Sequence, residues 1–167
     1  SILMPSLIGI IADKWMRAER LYGILHLTYA AFMLLIPHLD VLTALFPGLK
    51  QLEAYELLYW IIFGGMLAYM PSISLSNSVS YRILKMNNLD VQRDFPKIRV
   101  WGTIGFIAAM WLTNLSGSKS NENQFYIAGI GALLLGIYAF TLPACHPQGK
   151  TNEKQNLASQ LGLDAFK

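Results

Sequence analysis

Four stretches of this chain carry almost no charge and are long enough to cross a bilayer: Leu21 to Pro37, Leu57 to Tyr81, Val100 to Leu115 and Phe125 to Cys145. A helix needs about 20 apolar residues to span a hydrocarbon core roughly 30 Å thick, so the first and third stretches stand at the short limit. In lipid every backbone N–H and C=O must be satisfied internally, so such stretches fold as helices and pack on one another. Charged residues make up 14% of the chain, against about 25% in an average soluble domain. The expected fold class is an all-α membrane protein. A fifth apolar run, Ser1 to Ala12, is too short to span alone; lacking an initiator Met and a basic leader, it reads as the end of a further helix rather than a signal peptide.

Charge orients the array. With the helices alternating in direction, one side collects Lys14, Arg17, Arg20, Arg82, Lys85, Arg93, Lys97, Arg99, Lys150, Lys154 and Lys167, while the other keeps only Lys50 and Lys119. The positive-inside rule puts the loops at 13–20 and 82–99 and the tail from 143 in the cytoplasm. The net charge of +3 is therefore a topology signal, and no nucleic-acid surface is implied. The outer connections are polar and turn-like: a loop from His38 to Glu53 containing Pro47-Gly48, and "SGSKSNENQ" from Ser116 to Gln124. Glu53 and Glu56 sit solvated at the outer mouth.

Small and polar residues within the runs let helix backbones approach closely and bond across interfaces. Gly64-Gly65, the serine-rich stretch Ser72 to Ser80, Gly102, Gly105, Gly129, Gly131 and Gly136 read mostly as packing devices. Pro71 is expected to kink the longest helix. His26 and Asn77 lie inside apolar sequence, where each either bonds a neighbouring helix or belongs to a transport pathway.

The third run is preceded by a helix start that reads from Asp94 as cap and Pro96 in the first turn, which places Arg99 about one turn in. Arg99, Thr103 and Phe106 then follow at i, i+4 and i+7, so they share one face and rise roughly 10 Å along the axis. A cation, a hydroxyl and an aromatic ring pointing one way suit a polar, ring-bearing solute such as a nucleoside, because the ring can stack on a base while the polar groups hold hydroxyls or carbonyls. The plainer reading of Arg99 is an interfacial anchor, and of Phe106 simple packing.

Before the first run, "GIIADKWMRAER" sets Gly9, Asp13 and Lys14 ahead of Arg17 and Arg20. By itself this is an ordinary cytoplasmic anchor. It also resembles the signature between the second and third helices of the major facilitator superfamily, with Met16 standing where that signature has a second glycine. "AYMPSISLSNSVSY", from Ala68, and "DFPKIRVWGTIGFIAAMW", from Asp94, look like the fourth and fifth helices of the NupG-type nucleoside:proton symporters within that superfamily, and "LGLDAFK", from Leu161, resembles the end of their central loop.

That resemblance implies a partial amino-terminal half of a facilitator bundle, from the end of the second helix through the sixth, over residues 1–142, followed by a central cytoplasmic loop over 143–167. It implies that Arg99, Thr103 and Phe106 line the nucleoside site and that Gly9, Asp13, Lys14 and Arg17 belong to a cytoplasmic gate, Asp13 as the latch. The partners it implies are a nucleoside, protons, the lipid of a bacterial inner membrane and a carboxy-terminal half of the same chain, which would hold the proton-coupling residues. Two other readings stay open at this point: a facilitator carrier for a sugar or drug, and a non-transporting membrane subunit. Enzyme motifs, cofactor loops and metal-ligand sets are not found in the sequence, where Cys145-His146 is an isolated pair.

Overall fold

The computed structural model describes residues 16–46, 48 and 53–144 of the chain. Helix α1 runs Ala18–Leu35, passes through a 3-10 turn at Ile36–His38 and continues as a short helix α2, Leu39–Leu45. Helix α3 is Ala54–Met86, α4 is Val91–Leu115 and α5 is Asn123–Ala139, with a 3-10 turn at Ser118–Ser120 between the last two. No strand occurs among the described residues. The segments Ala18–Leu45, Ala54–Met86 and Val91–Leu115 are long and apolar enough to cross a membrane, while α5 is shorter.

Helix α1 is the centre of the bundle, with α3 on one side and α5 on the other, both antiparallel to it. Against α3, the inner end is held by Leu21 with Leu75 and Val79, and the outer end by Met33 and Ile36 with Ile61. Against α5, glycines set the spacing. A Cβ added at Gly23 would stand 3.0 Å from the Gly136 carbonyl oxygen and 2.9 Å from the Phe140 ring, and one added at Gly136 would meet Leu27 at 2.9 Å. The packing role read for Gly136 and Gly129 is what the backbone requires; at Gly102, Gly105 and Gly131 an added Cβ meets nothing within 4 Å among the described residues.

Three boundaries differ from the sequence reading. The cap of α4 is Asp90, whose carboxylate accepts from the Gln92 backbone N–H at 2.9 Å, and Asp94 instead pairs with Lys97 at 2.7 Å. Pro96 therefore lies in the helix interior, where its missing N–H costs one backbone bond near the wet end. Secondly, the stretch from His38 is helical as far as Leu45, the 3-10 turn at Ile36–His38 joining it to α1. Thirdly, α5 stops at Ala139, short of Cys145, since Pro143 disfavours helix in the residue before it. Pro71, fully buried, sits inside an α3 that continues unbroken past it.

Glu53 and Glu56 form a capping box at the start of α3, each carboxylate taking the other's end of the turn. At the far end of α3, Asn88 adopts a left-handed backbone, φ 54°, and lets α4 begin three residues on.

Candidate functional site

Helix α4 touches the rest of the bundle along a narrow strip, through contacts such as the Tyr81 and Phe95 rings 4.4 Å apart, and none of its residues is buried. Because α4 starts at Asp90, Arg99 lies more than two turns into the helix rather than one. Among the described residues no hydrogen bond or ion pair holds its guanidinium. Thr103 turns its hydroxyl back to the Arg99 carbonyl oxygen at 3.4 Å, which leaves the oxygen's lone pairs outward as acceptors.

Phe106 is 66% exposed and forms part of the wall of a cavity of about 940 Å³ bounded by α1, α3, α4 and α5. The cavity's inner walls are largely apolar, with Tyr29, Met33, Met66 and Met110 lining it together with Phe106, and its outer end carries Asn114, Lys119 and Gln124. Arg99 and Thr103 do not line it. The structure therefore sets the three residues on one face, as their spacing predicts, with Phe106 against the cavity and the other two open along the helix towards the basic end.

That face runs on. Met110 and Asn114, at i+4 and i+8 from Phe106, continue it to the outer mouth, so α4 presents a single stripe from cation to aromatic ring to amide. The sequence held this signal, since extending the same periodicity by two turns finds both residues. The methionines from α1 and α3 could not be found that way, because the contact depends on tertiary placement.

Of the gate residues, Gly9, Asp13 and Lys14 lie outside the described residues. Arg17 is at the start of α1, where its Nε sits 3.3 Å from a Glu19 carboxylate oxygen. Glu19, with a side chain 3% exposed, is a buried acid that the sequence reading passed over because it lies before the first apolar run. His26 is buried on α1, with Nδ1 3.1 Å from the Tyr22 carbonyl oxygen, and Asn77 is half-buried on α3. At the outer end the His38 ring nitrogen Nε2 and the Tyr126 hydroxyl stand 3.1 Å apart, tying α1 to α5.

Comparison with known proteins gives the family. The family model described as "Nucleoside H+ symporter" matches residues 1–167. The chain belongs to the nucleoside H+ symporter family. It is 43% identical over 166 residues to the xanthosine permease of Escherichia coli and 38% identical over 166 residues to nucleoside permease NupG of the same organism, covering 99% of this chain in both cases. A crystal structure of a point variant of the nucleoside transporter NupG superposes with a TM-score of 0.82 at 37% identity, over 98% of this chain and 37% of that one. The chain spans about 36% of the length of the curated relatives it matches. The expected all-α membrane bundle of the major facilitator type is thus the fold of this multi-pass chain.

Proposed function

We propose that this chain is part of a proton-coupled nucleoside importer of the bacterial inner membrane, working by alternating access. The observation that carries the reading is the stripe on α4, which aligns Arg99, Thr103 and Phe106 along a helix whose every residue is accessible within the described bundle. Arg99 offers a planar fork of N–H donors to a base carbonyl or ribose oxygen, Thr103 accepts from a sugar hydroxyl, and Phe106 stacks on the base. Arg99 and Thr103 stand open on α4 outside the cavity that Phe106 lines, so in this reading other parts of the transporter close the site, which fits relatives nearly three times as long.

In this reading residues 1–142 make the helix bundle of one half, and residues 143–167 form the central cytoplasmic loop towards the other. The two halves rock about the substrate between them. Gly9, Asp13, Lys14 and Arg17 latch the inner gate, with the Arg17–Glu19 pair fixing where that cation stands. His26 and Asn77, neither of them exposed, face neighbouring helices, and in this reading they support the pathway from within the bundle.

Uptake of labelled uridine by membrane vesicles carrying the complete transporter, with and without an inward proton gradient, tests the function. Gradient-dependent uptake competed by other nucleosides supports it. Uptake competed by sugars alone, or none from well-expressed protein, would sink it.

A further inference from the structure

Helices α3 and α4 run antiparallel from the turn that joins them, and two observations fix their register. At the inner end the Tyr81 and Phe95 rings lie 4.4 Å apart. Towards the outer end Met66 of α3 and Met110 of α4 line the same cavity. One turn outward from Tyr81 is Asn77, and one turn outward from Phe95 is Arg99. Eleven residues beyond Asn77 stands Met66, and eleven beyond Arg99 stands Met110. The two helices therefore keep step between the ring contact and the cavity, which puts Asn77 level with Arg99, about 6 Å outward from the rings.

The faces agree with the register. At about 100° per residue, Tyr81, Asn77, Ile73, Met70 and Met66 fall within a quarter-turn of α3, and so do Phe95, Arg99, Thr103, Phe106 and Met110 of α4. Each helix shows this face to the other at both places where the register is fixed. On α3 the face is open: Met66, Met70 and Ile73 are 40%, 41% and 48% exposed, and Asn77 is half-buried one turn further in. The cleft between the helices is thus closed at its inner end by the Tyr81–Phe95 pair and opens outward into the cavity. Asn77 and Arg99 are the first polar side chains above its floor, one on each wall.

Their chemistry is complementary. The Arg99 guanidinium only donates, whereas the Asn77 amide both donates and accepts. A sugar hydroxyl that accepts from the guanidinium still carries its own hydrogen, and that hydrogen needs an acceptor at the same level. The Asn77 amide oxygen supplies one from the opposite wall. With a base stacked on Phe106, roughly 10 Å outward from Arg99, the sugar extends inward past Thr103 to the level of this pair.

We propose that Asn77 is a nucleoside-binding residue that reads the sugar, its amide oxygen accepting the hydrogen of a ribose hydroxyl whose oxygen takes an Arg99 N–H. The proposal rests on the nucleoside reading above and deepens it, because it adds a contact from a second helix to the one-helix stripe of α4.

The test measures displacement of labelled uridine from the purified complete transporter by uridine and by its 2′-, 3′- and 5′-deoxy analogues, in the parent and in Asn77→Ala. In the parent, at least one analogue should bind about fivefold or more weakly than uridine. In the variant, uridine should weaken about five- to tenfold and that analogue's penalty should shrink more than twofold, since the hydroxyl has lost one of its partners. A residue that only packs the helices lowers all four affinities together and leaves the penalties unchanged. Penalties that stay within about twofold of the parent's therefore overturn the proposal, as does a parent that binds all three analogues like uridine. If Asn77→Ala does not reach the membrane, Asn77→Leu takes its place under the same criteria. A well-folded parent that binds no uridine sinks the nucleoside reading itself, whereas unchanged penalties in a uridine-binding pair of proteins sink this proposal alone.

Discussion

Phe106 and Arg99 share a face of α4, and the different roles proposed for them can be separated by substitution. Truncating Arg99 to Ala removes charged hydrogen bonds of about 1.5–3 kcal/mol, so nucleoside affinity should fall roughly ten- to a hundredfold, read by binding calorimetry on the complete transporter. Arg99→Lys should recover little, because a point charge does not replace a planar fork. At Phe106 the loss is of stacking, about 1–3 kcal/mol per base, so Phe106→Ala should weaken binding while Phe106→Tyr keeps most of it. Equal affinity in the Ala and Tyr variants would place the ring outside the site. The spacing of these residues was legible in the sequence because helical periodicity alone aligns them. Their depth in the helix was not, because two acids, Asp90 and Asp94, both suit a cap, and only the tight turn after Met86 decides for the earlier one.

Elements are held by different means at the two sides of α1. Towards α3 the contact is made by large side chains such as Leu75 and Ile61, whereas towards α5 it is made by backbone approach at Gly23 and Gly136. Gly136→Val should therefore destabilise the bundle by about 1–3 kcal/mol, visible as a lower unfolding temperature in detergent. A substitution without effect there would mean that the helices separate more easily than the contact implies. Helix ends give a smaller signal: Asp90→Ala loses the cap of α4 at a cost of about 1 kcal/mol, while Asp94→Ala should cost less, and thermal unfolding of the two variants ranks them. Gly129 and Gly136 were readable as packing glycines from their place in an apolar run. Residues 39–45 escaped that reading because their short helix owes its direction to the preceding turn rather than to a pattern of its own.

At the scale of the whole molecule, alternating helices put Arg17, Arg82, Lys85 and Arg93 at one end and Glu53, Lys119 and Glu122 at the other. In a background with Cys145 replaced by Ser, an impermeant maleimide added to intact cells should label Asn121→Cys and spare Asn87→Cys. The reverse pattern would invert the topology. Most of this layout was written in the charge distribution, since loops declare their side of the membrane without reference to packing. The cavity was not, because it depends on how far α4 stands from α1 and α5, a distance no periodicity encodes.

The turn between α3 and α4 has a mechanical consequence. Helix α3, with 33 residues, is roughly 50 Å long and outreaches the hydrocarbon core at its ends. It joins α4 through only residues 87–90, with Asn88 locked in a backbone form that most side chains resist. The two helices are coupled like the arms of a bent lever whose fulcrum lies at the basic end of the bundle. A small tilt of the long arm would swing Arg99 sideways without loosening the turn. Where the joint is this short, the basic end of the α4 stripe follows the motion of a helix it barely touches.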